Sequence, residues 1–184
     1  MQSRFAATTI VIGDRLHRYN ERSFSSSNPQ IPDMNWKTEG QKLAAMYRSF
    51  IEPDATGNVT VMNWQDVSEK PGVKATKEKL QKALEKNKAF GRAVRAEALR
   101  FVDHKVATGA KLIISKSQAV NNSIKYIIEE MAVFSHLVAH GFPVQVYPGT
   151  QLQVLKSIAS GDIQNVDTNL ESGIYLDMIF KKLA

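Results

Sequence analysis

The run Thr8-Thr9-Ile10-Val11-Ile12, closed by Gly13-Asp14, constrains this chain more than any other segment. β-Branched residues favour extended backbone, and consecutive apolar side chains leave neither face of a strand for water. Such a strand belongs in a parallel sheet covered by helices. The remaining chain alternates between the two periodicities accordingly. Trp36 to Ile51 has helical spacing, with Leu43, Met46, Tyr47 and Phe50 on one side. Asn58 to Asn63 alternates like a short strand with Val59 and Val61 inward, and Asp66 to Gly72 reads as a connector. From Val73 the pattern is helical to about Lys105, with Gly91 marking either a break or a tight packing point. Lys111 to Ile114 is a link or short strand. Ser117 to Phe134 is a helix with an apolar stripe of Val120, Ile124, Ile127, Ile128 and Met131. Val144 to Tyr147 is a strand ended by Pro148-Gly149, Leu152 to Ala159 a short helix, Ser160 to Ser172 a loop, and Ile174 to Phe180 a final strand. Glu21 to Asn35, rich in Ser, Asn and Pro, reads as a loop. The expectation is a doubly wound α/β domain spanning residues 1–184, its sheet mostly parallel and flanked by helices. Ligands on such folds sit beyond the carboxyl ends of the strands, which directs attention to Asp14–Asn20 and Tyr147–Thr150.

Composition narrows the function. The chain has 184 residues, 43% of them hydrophobic, enough for a real core in one domain. Cysteine is absent, which excludes disulfides and thiolate metal sites. There is no apolar run of membrane-spanning length and no apolar leader of secretory type, so a cytoplasmic enzyme or binding protein is expected. The net charge is +6. Between Lys74 and Arg100, nine basic residues face three acids, an excess equal to that of the whole chain. Lys74, Lys77, Lys82, Lys86, Arg92 and Arg95 are the candidate contacts for a phosphate-rich partner, although a solvated helix face with pairs such as Glu78–Lys82 has the same composition.

Neither GxGxxG nor GxxxxGK[ST] occurs, so nothing argues for a dinucleotide or ATP phosphate loop. His136 and His140 are four apart with no obvious third ligand, and a helix end with partly exposed histidines accounts for them; no metal and no cofactor are expected. His17 and His104 are isolated. Tyr126 and Glu130 are also four apart and share a helical face, where phenol and carboxylate could hold a ligand ammonium and exchange protons with it. An ordinary amphipathic helix gives the same spacing. Tyr147 ends a β-branched strand before Pro-Gly, where either a switch-point site or routine packing would put an aromatic.

Three segments in order resemble the tRNA-dependent cyclodipeptide synthases. Residues Ile10 to Asn20 are similar to that family's second core strand and following loop. Tyr126-Ile127-Ile128-Glu129-Glu130-Met131-Ala132-Val133-Phe134 resembles its catalytic helix, with Ala132 where proline is frequent. Val146-Tyr147-Pro148 resembles the strand end carrying its second catalytic tyrosine, in the subfamily with proline after it. The resemblance covers nearly all of residues 4–184. It implies a Rossmann-like fold akin to the catalytic domains of class I aminoacyl-tRNA synthetases. It also implies an aminoacyltransferase that joins two aminoacyl groups, delivered by two aminoacyl-tRNAs, into a cyclic dipeptide (a diketopiperazine) through an aminoacyl-enzyme intermediate, without ATP, metal or cofactor. By the same resemblance, Tyr126, Glu130 and Tyr147 are the catalytic residues, Val11 and Val133 line the first aminoacyl pocket, the basic block touches tRNA, and the complete enzyme is a monomer away from membranes.

One departure accompanies the resemblance. The family's nucleophilic serine follows its first core strand, whereas Met1-Gln2-Ser3-Arg4-Phe5 resembles the end of the helix after it. Ser3 is therefore not the nucleophile, and Ser23–Ser27 follows the wrong strand. The expectation is an N-terminally incomplete domain, inactive alone. The alternative is a serine-less relative that binds tRNA or another RNA without catalysis.

Overall fold

The computed structural model describes residues 8–13, 18–25, 36–51, 59–148 and 152–178. Along the chain the elements are strand β1 (Thr8–Ile12), helix α1 (Arg18–Glu21), β2 (Phe24–Ser25), α2 (Trp36–Ile51), β3 (Val59–Asn63), α3 (Trp64–Ser68), α4 (Pro71–Lys86) and α5 (Lys88–Ala107). They continue with β4 (Lys111–Leu112), α6 (Lys116–Ala139), β5 (Val144–Pro148), α7 (Gln153–Ala159), α8 (Thr168–Ser172) and β6 (Ile174–Met178). The architecture is mixed α/β and mostly helical.

Among the described residues the strands form three pairs rather than one sheet. β1 runs parallel to β3, with Ile10 opposite Val61. β5 runs parallel to β6, with Tyr147 opposite Asp177. β2 and β4 form a two-residue antiparallel pair, with Phe24 opposite Leu112. The β1–β3 pair is covered on both faces, as its composition requires. Ile12 and Val61 bury against Ala44 of α2, while Val11 and Met62 pack on the main core.

That core is built around α6. Ser115 starts the helix with a capping box: its hydroxyl accepts from Gln118 N, and Gln118 Oε1 accepts from Ser115 N. From Ile127 to Leu137 every residue is buried, so the helix is enclosed on all sides rather than amphipathic. Leu80 of α4, Phe90, Val94 and Ala98 of α5, Leu155 and Ile158 of α7 and Leu170 of α8 close around it.

Several expectations need correction. The long helix from Val73 is two helices, interrupted at Asn87 rather than at Gly91. Asn87 leaves the helical region (φ −93°, ψ 99°), and its side chain accepts from Phe90 N as the cap of α5. Gly91 is instead the close-approach point, where a Cβ would lie 2.6 Å from the Leu84 carbonyl oxygen. Part of the expected connector is helix α3, and Pro71 occupies the first turn of α4, where its missing N–H costs nothing. Residues Thr168–Ser172, expected as loop, form α8 under the Asp167 cap. On α2, Leu43, Met46 and Tyr47 are largely exposed, and the buried face is the small pair Gly40 and Ala44. The expectation of a mostly parallel sheet is met in part: among the described residues the strands form two parallel pairs and an antiparallel one.

Candidate functional site

Tyr126 and Glu130 lie one turn apart on α6, Glu130 within its enclosed stretch and Tyr126 at the edge of it. Glu130 is 1% exposed, and Tyr126 is half-buried against the main core. Val133, fully buried and one turn beyond Glu130, and Val11 of β1 meet the same core cluster. Tyr147 is placed by its backbone in β5, at the register position of Asp177; its side chain lies outside the described residues, as do Asp14–His17 and Gly149–Thr150.

The charge centre of the region is a residue that sequence reasoning passed over. Glu129, 3% exposed, is surrounded by donors from three elements. Lys77 Nζ of α4 donates to Oε2 at 2.7 Å. Arg18 of α1 donates to both carboxylate oxygens at 2.9 Å. The Tyr19 hydroxyl donates to Oε2 at 2.7 Å, and Trp64 Nε1 of α3 donates to Oε1 at 3.2 Å. Lys77 also donates to the Tyr19 oxygen at 3.1 Å. The Arg18 guanidinium lies 4.7 Å from the centre of the Tyr19 ring. Burial alone would raise the Glu129 pKa; hydrogen bonds from Lys77 and Tyr19 and the charges of Lys77 and Arg18 outweigh it and hold the carboxyl below its usual range. Burial would likewise lower Lys77, but its hydrogen bonds to Glu129 and Tyr19 and the Glu129 charge raise it. Both groups are therefore ionised at neutral pH. The available signal was two adjacent glutamates inside an apolar stretch, because a helix buried all round must find partners for both.

The α1 segment is tied to α6 twice more. Ser123 Oγ donates to Asn20 Oδ1 at 2.9 Å, and Asn122 Nδ2 donates to Ser23 Oγ at 3.1 Å. Of the six basic residues singled out, Lys74, Lys82, Lys86, Arg92 and Arg95 are exposed on α4 and α5, whereas Lys77 turns inward to Glu129. His136 is buried and stacks on His140 at 3.9 Å between ring centres, and the His140 Nδ1 is 2.7 Å from the His136 carbonyl oxygen. Among the described residues, no group of three or more His, Asp or Glu side chains could hold a metal ion, and no helix is long and apolar enough to cross a membrane.

Chemically, the site combines a saturated, ionised carboxylate with a second buried carboxylate beside it and a tyrosine one turn away. Such a set can hold a cation and move a proton.

No family model matches the chain, and no curated protein matches it by sequence. Solved structures do match. A cyclodipeptide synthase from Fluoribacter dumoffii superposes with a TM-score of 0.72 at 21% identity, over 97% of this chain and 78% of that one. AlbC, a cyclodipeptide synthase from Streptomyces noursei, superposes with a TM-score of 0.64 at 18% identity, over 96% of this chain and 82% of that one. Over nearly its whole length, this chain has the fold of solved cyclodipeptide synthases.

Proposed function

We propose that residues 1–184 form a catalytic domain of the cyclodipeptide synthase type, joining aminoacyl groups from two aminoacyl-tRNAs into a diketopiperazine. The observation that carries this reading is the pairing of Tyr126 with the buried Glu130 on the central helix of a fold shared with two solved cyclodipeptide synthases. In this reading the β1–β3 and β5–β6 pairs belong to one Rossmann-like sheet, akin to class I aminoacyl-tRNA synthetase catalytic domains.

The roles are those that the family resemblance implies. An aminoacyl group, held as an ester on an enzyme hydroxyl, presents its α-amino group to Tyr126 and Glu130. Glu130 stabilises the ammonium and takes a proton as the amine attacks the ester carbonyl of the second aminoacyl-tRNA. An amide forms, and the tRNA ribose oxygen leaves. Tyr147 assists proton transfer as the dipeptidyl ester cyclises. Val11 and Val133 shape the first side-chain pocket. Exposed Lys74, Lys82, Lys86, Arg92 and Arg95 attract the phosphate backbone of tRNA.

Mass spectrometry of cells expressing the chain together with its in-frame upstream sequence tests this directly. A cyclic dipeptide should accumulate, fall with Tyr126→Phe and disappear with Glu130→Gln. Abundant folded protein that yields no cyclic dipeptide, alone or extended by the in-frame sequence upstream of Met1, would refute it.

The five exposed cations favour a second reading, an RNA-binding module without catalysis. That protein would bind aminoacylated and deacylated tRNA equally, and salt would weaken both alike.

A further inference from the structure

We infer that Glu129 is a positioning residue: by neutralising Lys77, it keeps that cation from opposing a substrate ammonium at Glu130. The inference rests on the aminoacyl-tRNA reading and gives a role to a buried charge that the reaction above does not use.

Three observations carry it. Glu129 and Glu130 are consecutive and both buried, at 3% and 1% exposure, with α-carbons about 3.8 Å apart as in any trans peptide. Glu129 accepts from Lys77, Arg18, Tyr19 and Trp64 together. Lys77 is the inward exception in a block whose other singled-out cations face solvent. Its side chain is only 28% exposed, and Glu129 is the carboxylate that balances it.

Removing the Glu129 charge while keeping its shape would leave the Lys77 ammonium uncompensated near Glu130. In this enclosed region solvent and salt screen the charge poorly. An arriving ammonium would meet like charge, whereas a tRNA phosphate would not. The consequence therefore has a sign. Loss of Glu129 should weaken recognition of the aminoacyl group and spare recognition of the nucleic acid. A purely structural role would weaken both.

The experiment measures binding of a panel of tRNAs, each carrying its amino acid through a non-hydrolysable amide, against the same tRNAs deacylated. The wild-type chain should prefer the acylated form of at least one member. In Glu129→Gln that preference should fall about tenfold, the order of magnitude of one uncompensated unit charge in a poorly screened site. Deacylated binding should hold or tighten, and adding Lys77→Met should restore most of the preference, because Arg18, the other cation on Glu129, is the more exposed of the two. Lys77→Met alone, which leaves Glu129 on Arg18, Tyr19 and Trp64, should retain it, and this variant serves if Glu129→Gln does not fold. An unchanged preference in folded Glu129→Gln overturns the inference. So does equal loss of both forms without rescue by Lys77→Met, or loss of the preference in Lys77→Met alone. A wild-type chain that prefers no acylated tRNA overturns the aminoacyl-tRNA reading itself, before any substitution is made, and the inference with it.

Discussion

Lys77 Nζ sits 2.7 Å from Glu129 Oε2, and this contact joins the basic helix α4 to the enclosed helix α6. Because Glu129 is almost wholly buried, removing it strands Lys77 and removes the common acceptor of four donors. Glu129→Ala is expected to lower the unfolding free energy by about 3–5 kcal/mol at neutral pH, the range for breaking a buried pair from one side. Urea unfolding midpoints check it.

The same contact sets a pH dependence. The folded Glu129 pKa lies below its usual 4.5, so its stabilisation is complete above that value and is lost as pH falls through the folded value. Lys77 is raised above 10.5, so its share is complete below that value and is lost as pH rises through the folded value. Glu129→Gln should flatten the acid limb of the stability profile. An acid limb as steep as the wild type's would refute the assignment.

His136 adds a second acid-sensitive element. Burial, then the facing His140 and Lys70, lower its pKa below the usual 6.5. The unfolded chain therefore binds more protons in this range, and stability declines as pH falls from 6.5 toward the folded value. His136→Gln should remove that decline. Thermal unfolding between about pH 7.5 and 5.5, roughly one unit either side of the free histidine value, reads it.

Gly91→Ala sets helix propensity against sterics. Alanine is the better helix former by roughly 1 kcal/mol. The added Cβ would lie 2.6 Å from the Leu84 carbonyl oxygen, and backbone cannot swing aside like a side-chain tip. Sterics should win, with a net loss of about 1–3 kcal/mol. A stabilised Gly91→Ala protein would show that the α4–α5 contact is looser than described.

Asp167 holds three elements at once. Its Oδ1 accepts from Ser135 Oγ of α6 at 2.7 Å and from the backbone N–H groups of Asn169 and Leu170, while Lys79 of α4 reaches Oδ2 at 3.1 Å. Lys79 is largely exposed, so the cap and the buried Ser135 bond carry the effect. Asp167→Ala should cost about 2 kcal/mol, and Asp167→Asn, which keeps the capping oxygen, clearly less. Equal losses would place the effect in the Lys79 pair instead.

What the sequence disclosed follows from how local each signal is. Helix α2 is bounded where its periodicity placed it, and β1, β3, α7 and β6 fall within a few residues of expectation. The orientation of α2 was misread because Leu43, Met46 and Tyr47 form the more conspicuous stripe, whereas close approach to the β1–β3 pair selects the small residues Gly40 and Ala44. Asn87 escaped notice because an N-cap inside a long helical pattern is one polar residue among many. Tyr126 and Glu130 were legible as an i,i+4 pair. The Glu129 cluster was not, because Lys77 and Arg18 come to it from 52 and 111 positions away. No local window contains that information.

The interruption at Asn87 also bears on what the basic block can read. An unbroken helix would be one straight ruler, offering cations at even intervals to a regular backbone. Two helices of 16 and 20 residues are separate rulers of about 24 and 30 Å, interrupted at Asn87. A straight duplex could follow one of them closely, whereas a nucleic acid that bends or changes strand could follow both. Lys74, Lys82 and Lys86 lie on the first and Arg92 and Arg95 on the second, so in the proposed tRNA-binding role the block would meet its partner along two helices rather than one.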